Sequence, residues 1–209
     1  RVWARQIHYF KTQYRCAAPT LPGFDASRSS PRVFSLDAVI NSLKQLIDTL
    51  SPDRPVILMI HDWGCVFGYE LAMRYPDRVS KIVAIDIGDG NSPEFRRSLS
   101  PKSMAMILSY QFTLASAWFM GETVGGVITR AVARGLSARS EPQYIHSAMN
   151  YPYAMRWMGT EGGLGKLLPV EPQCPFYFAY AKRKPFKFHS QAWADHLSSK
   201  PSNVVREFD

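Results

Sequence analysis

The 209-residue chain predicts an α/β fold built on a parallel sheet. Three observations carry that expectation. Helical and strand patterns alternate from residue 2 to residue 90. The strand patterns, above all Val56-Ile57-Leu58-Met59-Ile60, are continuous apolar runs, as expected of strands buried on both faces. A helical stretch from 93 to about 170 then interrupts the alternation, which resumes to the end. These boundaries divide the chain into a first part of the core (1–92), an inserted helical lid (93–170) and a last part of the core (171–209).

Each element has a local reason. Trp3, Ile7 and Phe10 share one helical face, and Tyr14 to Ala18 reads as a short strand. Pro19-Thr20-Leu21-Pro22-Gly23-Phe24-Asp25 forces a turn. Ser35 caps a helix whose Leu36, Ile40, Leu43, Ile47 and Leu50 repeat at helical spacing, and Ser51-Pro52-Asp53 ends it. The apolar strand before Asp62 follows, then a helix to Tyr75, broken by Pro76, then a strand from Lys81 to Ile87 closed by Gly88-Asp89-Gly90. In the insertion, Met104–Met120 predicts one helix, Thr123–Arg134 a second, and Tyr144–Trp157 a third that Pro152 should kink or end. Pro175–Ala181, Ser190–Leu197 and Val204–Phe208 predict strand, helix and strand.

Composition excludes several function classes. Hydrophobic content of 46% with 20% charged residues is globular. Cys16, Cys65 and Cys174 are odd in number, far apart and without a C-x-x-C, which argues against a disulfide framework and a structural zinc, and for a reducing, cytoplasmic setting. The net charge of +8 clusters at Arg96-Arg97 and at Lys182-Arg183-Lys184 with Lys187, but no basic helix face with interleaved aromatics appears, so no nucleic-acid partner is expected. The uncharged stretch Met104–Met120 is shorter than the ~20 residues a bilayer requires and carries polar interruptions, so stable membrane insertion is not expected. Gly162-Gly163-Leu164-Gly165 follows no strand and lacks the Gly-Lys-Ser/Thr of a phosphate loop; no cofactor or metal is expected.

The chemistry concentrates where the apolar strand ends in His61-Asp62-Trp63-Gly64-Cys65 and a helical pattern starts at once. That layout is a nucleophile elbow, a sharp strand-to-helix turn that lifts one side chain above the sheet. The lifted residue is Asp62, not Ser. A carboxylate nucleophile suits attack on a saturated carbon, as in an epoxide or alkyl halide, through a covalent ester. Asp is also a favoured helix N-cap, but a cap demands neither His before it nor Trp-Gly after it. The backbone N–H of Trp63 takes the oxyanion-hole role. Ile60, two before the nucleophile where a small residue is usual, needs compensating room from Gly64, Cys65 or Gly68.

Leu21-Pro22-Gly23-Phe24, His61-Asp62-Trp63-Gly64 and the helical insertion together resemble the α/β-hydrolase superfamily, and the Asp elbow followed by Trp resembles its epoxide hydrolase and haloalkane dehalogenase branch. The resemblance implies an α/β-hydrolase core with an inserted lid, and a hydrolase that opens epoxides through an alkyl-enzyme ester on Asp62, with a small apolar electrophile as substrate. Two lid tyrosines polarise the epoxide oxygen in that family. Tyr110-Gln111 is similar to the first such site; Asn150-Tyr151-Pro152-Tyr153 is similar to the second, with Tyr151 and Tyr153 both open. With ten tyrosines in the chain, packing is the competing role for each, more so at the second site than at Tyr110.

The family's relay acid follows the strand ending near Ala181, where this chain has Lys182-Arg183-Lys184-Pro185; Asp89 is the substitute and Asp86 the second choice. The family's His-Gly-x-Pro segment would precede residue 1 and its general-base His would follow Asp209, so the chain reads as truncated at both ends. His61 adjoins Asp62 and points to the opposite face, and His8, His146, His189 and His196 read as surface or packing residues. Two alternatives stay open: a haloalkane dehalogenase with the same nucleophile, holding halide on the Trp63 indole N–H, and a non-catalytic α/β-hydrolase-fold binding protein. The oligomeric state is open.

Overall fold

The computed structural model describes residues 2–25, 34–138, 140–184 and 187–209. After the short helix α1 (Ala4–Phe10), helix α2 (Leu36–Leu50) begins at Ser35, whose side chain accepts from the Ala38 N–H. Strand β1 (Val56–His61) runs into α3 (Trp63–Arg74), and β2 (Val79–Ile85) follows. The insertion comprises α4 (Pro93–Ser98), α5 (Pro101–Phe119), a π-helical turn at Gly121–Gly125, α6 (Gly126–Gly135) and α7 (Tyr151–Met158). Then come β3 (Phe176–Ala181), α8 (Gln191–Ser198) and β4 (Val204–Phe208).

The four strands form one parallel sheet in the order β1-β2-β3-β4, with Ile60 beside Ala84, Ala84 beside Phe178 and Phe178 beside Val205. All connections therefore cross over, and the carboxyl ends of the strands gather on one edge, where open α/β sheets place their sites. The insertion leaves from the carboxyl end of β2 and returns to β3, so its helices lie on that edge.

Helix α3 organises the packing. Cys65, Tyr69 and Ala72 face a cluster that includes Ile82, Phe176 and Phe178 from the strands and Trp193 and Leu197 from α8. Trp63, Phe67 and Leu71 face a second cluster with Val39, Ile40 and Ile47 of α2 and Tyr151 and Met155 of α7. A helix apolar all round must be buried all round. Its one buried acid, Glu70, is satisfied by Arg74 Nε at 2.7 Å and by the Leu168 N–H at 2.8 Å, which ties the strap before β3 to the helix.

Some sequence expectations change. Residues 14–18 form no strand, because they pair with no strand among the described residues. Pro152 does not break a helix over 144–157. It stands in the first turn of α7, where its missing N–H costs nothing, and the preceding residues form two 3-10 turns. Pro93–Ser98 is a separate helix capped by Ser92. Among the described residues no helix is long and apolar enough to cross a membrane; α5 instead buries Ile107, Gln111, Leu114, Ala115 and Ala117.

Of the three residues named as room for Ile60, Gly68 provides it. A Cβ on Gly68 would stand 2.8 Å from Ile60 Cγ2, whereas one on Gly64 would meet nothing within 4 Å. Gly68→Ala is expected to destabilise the fold by about 1–3 kcal/mol through overpacking. In an Ile60→Ala background the same change should cost clearly less, since the opposing methyl is gone. Urea denaturation of the four proteins of this cycle measures it; additive effects would exclude the close packing of this pair as the cause.

Candidate active site

Asp62 sits between β1 and α3 with φ 53° and ψ −129°. A non-glycine residue rarely adopts positive φ, and such strain persists only where the surroundings over-determine it. Here the β1–β2 ladder holds one side of the turn and the buried start of α3 the other. The Asp62 side chain makes no capping bond to the helix, so the N-cap role does not account for it. It opens instead into a cavity of about 610 Å³ at the carboxyl edge of the sheet, with Trp63, Tyr110, Tyr153, Asp89 and Arg156 on its walls. The volume lies in the usual range for small-molecule sites.

The carboxylate is accessible from the cavity yet enclosed by protein. That enclosure raises its pKa above the ordinary carboxylate value, against the lowering effects of His61, Lys184 and the Trp63 backbone N–H.

Tyr110 and Tyr153 face each other edge to face, ring centroids 6.3 Å apart, and the Asp62 charge raises the pKa of both. Burial is the larger cause, and pushes Tyr110 up to about 12 and Tyr153 well above its usual value. Both therefore remain protonated donors at neutral pH. The orientation of Tyr110 follows from its neighbours. Trp157 Nε1 can only donate, and it lies 2.9 Å from Gln111 Oε1. That fixes the Gln111 amide, so its Nε2 donates to the Tyr110 hydroxyl oxygen at 2.8 Å. The Tyr110 oxygen is thus held as an acceptor from Gln111.

The geometry separates Tyr151 from Tyr153, which the sequence could not. Tyr151 is 1% exposed and stacks on Phe67 with the rings 6.3 Å apart, and it does not line the cavity. The left-handed Gly23 of Leu21-Pro22-Gly23-Phe24 packs on it: a Cβ there would stand 2.8 Å from the Tyr151 ring. Tyr153 instead packs its ring edge-on to Trp63 at 5.0 Å and lines the cavity. The buried Trp63 Nε1 makes no well-formed hydrogen bond among the described residues, and the Tyr153 phenol is the group beside it.

Asp89 and Asp86 have different surroundings. Asp89 is buried, lines the cavity and accepts from Ser92 Oγ at 2.5 Å, Ser190 Oγ at 2.7 Å and the Ser190 N–H at 2.7 Å. Ser92 and Ser190 in turn cap α4 and α8. Asp86, also at positive φ, turns away toward Lys184 Nζ at 2.6 Å and His61 Nε2 at 3.6 Å. Burial would raise its pKa, but the bonds to His61, Lys184 and the Ala181 N–H hold it down at about 2. Lys184, in the basic segment after β3, is thus the counter-ion of Asp86.

Neither His61 nor the buried His189, whose pKa burial and Lys187 lower to about 4, lines the cavity; His196 reaches its wall from the last turn of α8. Sequence reasoning missed Arg156, Trp157 and the orienting role of Gln111. The i, i+3 spacing of Tyr153 and Arg156 was the available signal.

The raised pKa of Asp62 has a consequence for stability. Its folded pKa lies above its unfolded value, so it favours folding least above the folded pKa, where burial of the charge is a penalty, and the penalty vanishes below the unfolded pKa. Asp62→Asn, which tolerates the same backbone, is expected to raise Tm at pH 7 and to leave it unchanged near pH 3. Thermal unfolding at the two pH values tests this; a variant less stable at pH 7 would contradict the enclosure of the charge.

Comparison with known proteins agrees with the architecture. The family model described as the alpha/beta hydrolase fold matches residues 1–142. The chain is 30% identical over 86 residues to epoxide hydrolase 4 of Mus musculus, covering 40% of this chain and 24% of that protein. It is 25% identical over 150 residues to the cis-3-alkyl-4-alkyloxetan-2-one decarboxylase of Shewanella oneidensis, covering 70% of this chain and 45% of that one. The chain thus spans about a quarter to a half of these relatives. The solved structure of a Bacillus megaterium epoxide hydrolase with an inhibitor superposes with a TM-score of 0.69 at 21% identity, over 99% of this chain and 80% of the other. With its parallel sheet, its strained strand-to-helix turn and this family match, the chain belongs to the alpha/beta hydrolase fold family.

Proposed function

We propose that the protein is a hydrolase that opens epoxides through an alkyl-enzyme ester on Asp62. The observation that carries this reading is the meeting, in one cavity, of a strained, enclosed carboxylate and two phenols kept protonated. The similar proteins support it by name: one acts on an epoxide and another on an oxetanone, and both substrates are strained oxygen rings.

In this reading an Asp62 oxygen attacks a ring carbon as the carbon–oxygen bond breaks. Tyr110 and Tyr153 donate to the departing oxygen, which takes the proton of one of them, and that phenol recovers a proton from the water consumed in the next step. Water then adds to the ester carbonyl, the Trp63 N–H stabilises the resulting oxyanion, and the diol leaves with Asp62 restored. Asp89 is proposed as the relay acid behind the base that activates this water; the three bonds it accepts hold its carboxylate in place.

A dehalogenase reading draws on the buried Trp63 Nε1, a donor without a well-formed acceptor that suits a halide. The paired phenols favour the epoxide.

Two measurements test the assignment. Protein quenched during reaction with an epoxide is expected to carry a mass adduct on the peptide containing Asp62, and Asp62→Asn should not form it; an adduct on another residue would refute the nucleophile. Tyr153→Phe and Tyr110→Phe are each expected to lower epoxide turnover by about 10²–10³, the usual effect of losing one donor to a developing oxyanion. Tyr151→Phe should change it by less than about threefold, since Tyr151 packs in the core. Equal losses at all three positions would assign the tyrosines to packing.

A further inference from the structure

Arg156 stands one helical turn after Tyr153 on α7 and lines the same cavity. Its Nη1 donates to Asn91 Oδ1 at 2.5 Å, its Nη2 to the Gly90 carbonyl at 3.2 Å, and its guanidinium lies 5.4 Å over the Trp157 ring. It makes no ion pair among the described residues. Arg74, Arg78, Arg97, Arg130, Lys184 and Lys187 all do. Of the acids on the cavity wall, Glu70 is paired with Arg74, Glu94 with Arg97, and Asp89 accepts from its serines, while Asp62 and Glu171 make no ion pair with Arg156 among the described residues.

A guanidinium has five donors, and two neutral acceptors use only part of them. A half-buried cation without a counter-charge is unfavourable, and burial and the nearby charge of Arg96 both lower its pKa. Arginine nonetheless stays charged. An anion bound from the cavity would complete this site, and a carboxylate matches the planar fork of the guanidinium.

We propose that Arg156 receives a carboxylate of the substrate, so that the favoured ligand is an epoxy acid whose ring lies at Asp62 and whose acidic end lies at α7. The choice of an epoxide rests on the function proposed above; the anion site does not. The positive charge also offsets the repulsion that the Asp62 carboxylate exerts on an anionic substrate.

The inert pair phenylacetate and phenylacetamide tests the anion site without turnover. By calorimetry, the full-length protein is expected to bind the acid about tenfold or more tighter than the amide, the worth of one charge-assisted bidentate contact. Arg156→Gln should abolish that preference and leave amide binding intact. Asn91→Ala, which removes the brace but keeps the charge, should retain it. No preference in the wild type, or a preference lost equally in both variants, would overturn the proposal and leave Arg156 as a brace for the Gly90–Asn91 turn.

Turnover of the epoxide of a terminal alkenoic acid is then compared with that of its methyl ester. A preference for phenylacetate with neither epoxide turned over would remove the epoxide reading and leave the anion site standing.

Discussion

The left-handed turn at Asp62 is the constraint on which the rest of the structure depends. Holding a non-glycine residue at such angles costs of order 1–3 kcal/mol, and the cost is met by burial on both sides of the turn. Behind it, Ile60 fits only because Gly68 presents no side chain. Ahead of it, α3 is enclosed by the sheet on one side and by α2 and α7 on the other. The helix has no exposed face on which to relax, so neither end of the turn can move without opening a core.

The electrostatics of the cavity follow from that rigidity. Asp62 is enclosed because the inserted helices pack over the carboxyl edge of the sheet, and enclosure makes its charge costly. The nearby polar groups are arranged by chains of donors with few alternatives. Trp157 orients Gln111, Gln111 orients Tyr110, and burial keeps the two phenols neutral. The two acids after β2 divide the work. Asp86 neutralises Lys184 away from the cavity, while Asp89 joins the capped ends of α4 and α8 beneath it. Tyr69 fixes the segment between them, donating from its hydroxyl to the Ile87 carbonyl at 2.5 Å.

The insertion contributes to the core as well as covering the cavity. Tyr151 and Met155 of α7 fill the second cluster, while Tyr153 and Arg156, on another face of the same helix, line the cavity. Any movement of α7 that opens the cavity must therefore disturb the Tyr151–Phe67 stack and the packing of Gly23 on that ring.

The sequence by itself determined whatever depends on neighbours along the chain. The apolar run before His61-Asp62-Trp63-Gly64 dictated a buried strand and an abrupt turn, Ser35 and Ser190 dictated helix starts, and the run Val204–Phe208 dictated the last strand. The reach of Pro152 was misjudged because a proline that stops one helix starts another equally well, and only the turns before it decide. Residues 14–18 had strand character but no partner among the described residues, and a strand exists only in a ladder. Tertiary structure alone decided the site's second layer: that Tyr153 and not Tyr151 meets the cavity, that Asp89 and Asp86 face different ways, and that Arg156 stands there with no ion pair among the described residues. Spacing along a helix fixes which residues share a face. Which surface that face meets is set by how helices distant in sequence pack, and no local pattern encodes it.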